Sequence, residues 1–246
     1  MSSSLPLAAL ALVLLAGLAL TVGPVLRYTR AYVERLEARC DAADSVAEAA
    51  PAIRRQWLLS PASQLLLALV LGVITAVWSW RHGQVRDGVV AVPTLMLLGA
   101  AGSVDAVCHR LPNRLLGAVV AWLGLGLAVT TVVALARGGS LAAATATPLR
   151  AVLVAAVLGG SVLLLALLRT GLGPGDVKLC GVTGLWLGQL GWSAALTGLL
   201  VGFFLASLLA AALLVTRRAT LKTRIALGPA LVLGAWAAWL LQVAAV

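Results

Sequence analysis

The feature that most constrains this chain is a series of apolar runs, each near the length of a bilayer crossing. They lie at roughly 5–26, 62–80, 89–108, 115–136, 151–168, 177–192, 195–216 and 225–245. A helix needs about 20 residues to cross roughly 30 Å of hydrocarbon, and the sixth run is the shortest of the set. None of the runs alternates polar and apolar residues as the strands of a membrane barrel would. Composition excludes a soluble fold: 62% of the 246 residues are hydrophobic and 11% charged, more apolar surface than one soluble core hides. The fold class read from the sequence is an all-α, polytopic transmembrane helix bundle of about eight spans.

The formal charge of +10 does not indicate nucleic acid, because the basic residues sit between apolar runs rather than along one face. With the N-terminus outside, fourteen of the 18 Lys and Arg residues fall in inner loops; Arg81, Arg86, Arg137 and Arg150 fall outside. That bias predicts both termini outside and basic loops in the cytoplasm. The first run lacks a basic leader, exceeds a usual signal core and is followed by Arg27 and Arg30, so it reads as a retained anchor. Three cysteines, Cys40, Cys108 and Cys180, form no CxxC, which leaves neither a disulfide framework nor a tetracysteine zinc site. Most of the eight tryptophans, among them Trp78, Trp80, Trp122, Trp186 and Trp192, fall near span ends and read as interfacial anchors.

One long hydrophilic stretch, 27–61, lies on the inner side. On a helical wheel at about 100° per residue, Glu34, Glu37, Asp41, Asp44 and Glu48 share an arc of about 80°. Val33, Leu36, Cys40 and Ala47 take the neighbouring face. The pattern predicts an amphipathic helix continuing from the first span until Pro51. Its acids read either as a solvated face, with Arg30 supporting Glu34, or as a strip that receives a basic segment of a substrate. The expected organisation is an N-terminal anchor with this short helix over 1–61 and a membrane domain over 62–246.

Of eight acids, five lie on that helix and Asp87 reads as an outer-loop residue. Asp105 and Asp176 remain, near the inner ends of the third and sixth spans. A carboxylate at membrane depth costs a few kcal/mol, about 2.5–3.5 at the centre of a helix, so each is a functional candidate. Two carboxylates brought close together share a proton, and the pair then holds one general base and one general acid. The structural alternative is a helix cap or an ion pair, such as Asp176 with Lys178.

The local sequence favours the first of these. Asp105 is followed by Leu111-Pro112-Asn113, and Asp176 stands in Gly173-Pro174-Gly175-Asp176-Val177-Lys178. Both motifs, in this order, resemble those of the type IV prepilin peptidases, membrane aspartic proteases of the GxGD kind. Ile225-Ala226-Leu227-Gly228-Pro229-Ala230-Leu231 is similar to the run that opens the family's last span. The likeness covers about 89–234. It implies cleavage of the basic leader of a prepilin or pseudopilin, of pili or secretion systems, after a glycine at the cytoplasmic face. It also implies that Asp105 and Asp176 are the catalytic pair, with Gly173 and Gly175 shaping the loop, Lys178 tuning its field, and Pro112 and Asn113 supporting the turn. Glu37, Asp41 and Asp44 are the candidate leader-binding acids.

There are departures. Many members N-methylate the new pilin terminus and carry two zinc-holding CxxC pairs in the cytoplasmic region, where this chain has Cys40 alone. The family's GSxLNxxxxR run survives as Gly23-Pro24-Val25-Leu26-Arg27, and its Pro and Phe in the last motif are Ala226 and Leu227. Neither zinc nor S-adenosylmethionine is therefore expected as a cofactor. Cys108 and Cys180 share a helical face with Asp105 and Asp176 and, with His109 nearby, admit a metal site; small apolar core positions fit them better. The rival from another class is a proton-coupled transporter using the same two acids. A presenilin-like protease would carry Tyr where Val104 precedes Asp105.

Overall fold

The computed structural model describes residues 4–43, 56–168, 172–217 and 226–245. Of these, 89% are helical and none is in a strand, which makes the chain an all-α membrane protein. The helices are α1 (Ser4–Leu20), α2 (Leu26–Ala43), α3 (Pro61–Arg81), α4 (Val85–Cys108), α5 (Asn113–Ala136), α6 (Leu141–Leu167), α7 (Pro174–Gly188), α8 (Trp192–Val215) and α9 (Gly228–Ala244). Each of the eight expected runs holds a helix among the described residues. Six are long and apolar enough to cross a membrane: Leu7–Leu36, α3, α4, α5, α6 and α8. The other two, α7 and α9, have 15 and 17 residues, about 22 and 26 Å at about 1.5 Å per residue.

Several boundaries differ from the expectation for physical reasons. Helix α6 begins ten residues before the expected 151, because the Ser140 hydroxyl caps it by accepting from the Ala143 N–H at 3.3 Å. Pro148 does not stop the helix. Proline lacks the N–H that would bond the Ala144 carbonyl, and the Thr131 hydroxyl of α5 reaches that carbonyl at 3.4 Å while bonding Leu127 O at 2.8 Å. Pro24 is absorbed similarly: Thr21–Val25 form a π-helical turn that joins α1 to α2 without a break. Asp87, expected in an outer loop, lies in the first turn of α4, where an acid suits the helix dipole.

The chain forms two compact units, Met1–Leu115 and Leu116–Val246. In the first, α1, α3 and α4 pack together. Leu10, Ala68, Ala76, Val92 and Met96 form their core, with Val13, Leu14 and Leu18 against it. Helix α4 is buried along most of its length, from Gly88 to Cys108, as expected of a helix that is apolar on all sides. A second cluster joins the amphipathic helix to the end of α4: Val33 of α2 and Leu59 pack on Val104, Val107 and Cys108, with Leu36 partly buried beside them. Val33 and Leu36 of the expected apolar face of α2 are therefore seated, while the Cys40 side chain and Ala47 lie outside the described residues. Glu34 and Arg35 on its other side are exposed.

In the second unit, α6 packs along α7 and α8 along α9, while α7 also touches α8 and α9. Glycines allow the close approach. A Cβ on Gly184 would lie 3.0 Å from the Ala155 Cα, and one on Gly188 would lie 3.0 Å from the Ala151 Cα. Trp186 of α7 and Trp239 of α9 stack with centroids 6.4 Å apart, 2% and 1% exposed. Trp186 is thus a core residue, not an interfacial anchor, because its helix face is turned to α9. Trp80 and Trp192 are exposed as expected of anchors.

Candidate functional site

Asp105 lies in the last turn of α4 and is 6% exposed. The helix ends three residues later, where His109 adopts a left-handed conformation with φ of 52° and donates its N–H to the Asp105 carbonyl at 2.8 Å. Histidine is among the residue types that tolerate this region. Pro112 is buried in the turn that follows, and Asn113, exposed, opens α5. The Leu115 N–H closes the turn on the Pro112 carbonyl at 3.1 Å. Asp105 is therefore a buried acid beside a sharp, proline-fixed exit, with α2 docked on the same end of α4.

The surroundings of that end are held by hydrogen bonds that sequence reading did not reveal. Arg30 Nε donates to the Leu59 carbonyl at 3.1 Å, and Gln64 Nε2 donates to the Leu58 carbonyl at 2.7 Å. They tie α2, the 3-10 turn Gln56–Leu59 and α3 into one corner. Arg30 thus has a longer-range role than support of Glu34. Of the candidate leader-binding acids, Glu37 and Asp41 lie on the α2 backbone with side chains outside the described residues, and Asp44 lies outside them altogether.

In the second unit, Gly173 is the N-cap of α7, Pro174 its first residue and Asp176 its third. Proline is favoured there because its missing N–H would have no helical partner. The Gly173 N–H donates to Asp176 Oδ2 at 2.9 Å, and the Asp176 N–H donates to the Gly173 carbonyl at 3.1 Å. The cap that the sequence allowed for Asp176 is present. It engages one oxygen of a carboxylate that accepts about four bonds, so capping and chemistry are compatible. Gly175 is half-buried in the first turn and Lys178 is exposed.

Cys108 and Cys180 are buried free thiols, each within electrostatic reach of the acid one turn before it. Cys108 donates to the Val104 carbonyl at 3.2 Å, as a small core residue does. Among the described residues no three His, Cys, Asp or Glu side chains gather as a metal site would require.

Asp105 belongs to the first compact unit and Asp176 to the second. Around the first stand Cys108, Pro112 and the docked α2; around the second, Gly173, Gly175 and Cys180. Sequence reading missed Arg150. It was expected in an outer loop, but it lies within α6 and reaches the end of α7. Its one signal was an arginine inside a run rich in alanine.

Together these features define an all-α, multi-pass membrane protein with two acids at helix ends. No protein-family model, curated protein or solved structure matches the chain.

Proposed function

We propose that the chain is a membrane aspartic endopeptidase that removes the basic leader of a prepilin or pseudopilin at the cytoplasmic face. What carries this reading is the ordered pair of motifs, Asp105 with Leu111-Pro112-Asn113 and Asp176 within GxGDxK. Its support in physical terms is that both acids stand at helix ends, Asp105 in the last turn of α4 and Asp176 in the first turn of α7, where a peptide in extended form can approach backbone. The reading requires Asp105 and Asp176 to face one another across a substrate.

The chemistry follows from a shared proton. The ionised Asp takes a proton from water as the water oxygen bonds to the scissile carbonyl carbon, and the protonated Asp gives its proton to the carbonyl oxygen. Collapse of the resulting gem-diol breaks the C–N bond, and the proton gained from water passes to the departing amine. No metal is needed for this balance, and neither methylation nor S-adenosylmethionine belongs to the proposal. The membrane is the inner or plasma membrane, with both termini outside, as the distribution of arginines favours. The acids Glu37, Asp41 and Asp44 attract the basic leader.

The deciding experiment is leader cleavage in membranes, with a prepilin from the same cell as substrate. Wild type is compared with Asp105→Asn and Asp176→Asn at equal membrane levels. Cleavage by wild type and by neither variant is expected. Near-normal cleavage by either variant overturns the pair and leaves the proton-coupled transporter as the reading to pursue.

A further inference from the structure

Helix α7 is too short to cross a bilayer: 15 residues cover about 22 Å of roughly 30 Å. With Asp176 at one surface, its far end stops short of the other. The last carbonyls of a helix have no partner within it, and unsatisfied carbonyls in an apolar setting cost free energy. Here the partner is Arg150 of α6. Its Nε donates to the Gly188 carbonyl at 2.9 Å and its Nη2 to the Gln189 carbonyl at 2.5 Å. The guanidinium is a rigid fork with several donors, so it holds two carbonyls at once, and its charge complements the negative end of the helix dipole.

A cation within an apolar span is costly and rare. Arg150 is half-buried in such a span, Leu141–Leu167. The α6–α7 contact beside it is lined by glycine, with Gly159 against Gly181, Gly184 against Ala155 and Gly188 against Ala151. Small residues of this kind let the two backbones approach closely, and the buried Val154 of α6 seats against Gly188. The two-pronged bond adds a polar tie at the same end.

We propose that Arg150 is a positioning residue: by clamping the Gly188 and Gln189 carbonyls it fixes the depth of α7, and with it Asp176 at the opposite end of the same helix. The proposal rests on the peptidase reading for its consequence in catalysis, but the clamp itself does not. Arg150 touches no substrate in this scheme. It acts through the helix.

The test uses full-length protein in membranes or detergent and two readouts. Arg150→Ala is expected to lower kcat for leader cleavage at least tenfold, with KM within about twofold, while Arg150→Lys, which keeps a charge but not the fork, falls between. Amide hydrogen exchange is measured without substrate over 174–180 and over 185–191. In Arg150→Ala both segments are expected to exchange at least threefold faster. Exchange confined to 185–191 means a local cap only and overturns the proposal, as does wild-type kcat in Arg150→Ala. Should that variant fail to accumulate, Arg150→Lys carries both readouts, with smaller changes of the same sign expected and none overturning the proposal. Wild type and Asp176→Asn run alongside. If wild type does not cleave, or Asp176→Asn cleaves normally, the peptidase reading has failed by itself, and hydrogen exchange alone decides the clamp.

Discussion

The Gly173 N–H donates to Asp176 Oδ2 at 2.9 Å, so the acid in the GxGD motif is also the cap of its own helix. Under the peptidase reading, structure and chemistry overlap at this one side chain, and substitutions separate them. Asparagine keeps an oxygen acceptor for the cap but cannot ionise. Alanine removes both.

Asp176→Asn is expected to fold as wild type, with stability within about 1 kcal/mol, and to lose about 10²–10⁴-fold in cleavage rate. Asp176→Ala is expected to lose as much activity and a further ~1 kcal/mol of stability, the usual worth of a cap. Thermal unfolding in detergent beside the cleavage assay checks both. Equal melting of the two variants refutes the capping role.

Gly173→Ala probes the loop differently. A Cβ there meets Asp176 Oδ2 at 3.5 Å, an ordinary contact, so folding is expected to change by less than about 1 kcal/mol. Under the peptidase reading the added methyl occupies space that a substrate backbone needs, and cleavage falls with protein level unchanged. Unimpaired kcat/KM in this variant removes Gly173 from the substrate's path.

At the α6–α7 seam, Gly188→Ala places a methyl 2.8 Å from the Val154 Cβ and 3.0 Å from the Ala151 Cα. Neither neighbour is a flexible side-chain tip, so the helices must part. A loss of about 1–3 kcal/mol is expected, as for other overpacked sites. Gly160→Ala, with nothing within 4 Å of the added carbon, serves as the control and is expected to melt with wild type.

Trp186→Ala empties space against Trp239, both almost fully buried. The expected cost is about 3–5 kcal/mol, enough to lower accumulation in membranes. Trp80→Ala at an exposed position is expected to cost much less. Similar losses in the two variants count against the burial of Trp186.

Val33→Asp tests the seating of α2. Val33 is 5% exposed against Leu59, Val104, Val107 and Cys108. An unpaired carboxylate there is strongly disfavoured, and α2 is expected to release from the end of α4. Faster proteolysis around α2 reads this directly, whereas Glu34→Ala on the exposed side leaves proteolysis unchanged.

What the sequence determined by itself was the class and the local backbone features at proline and glycine. Apolar runs near 20 residues admit few structures other than helices in lipid, because each backbone group must then bond within its own segment. The turn at Leu111-Pro112-Asn113 and the helix start at Gly173-Pro174 were legible because proline and glycine act on the backbone at their own positions. The apolar face of α2 was legible from its period, and Val33 and Leu36 meet α4 as that face requires. Tertiary structure decided what depends on a partner helix. Pro148 and Pro24 do not end their helices, since Thr131 reaches the freed carbonyl of Ala144 and a π turn absorbs the other. Trp186 is in the core because α9 carries Trp239 opposite it. Arg150 bonds the end of α7, 38 and 39 residues further along the chain. No window of sequence contains such a contact, because it depends on which helices pack and at what depth.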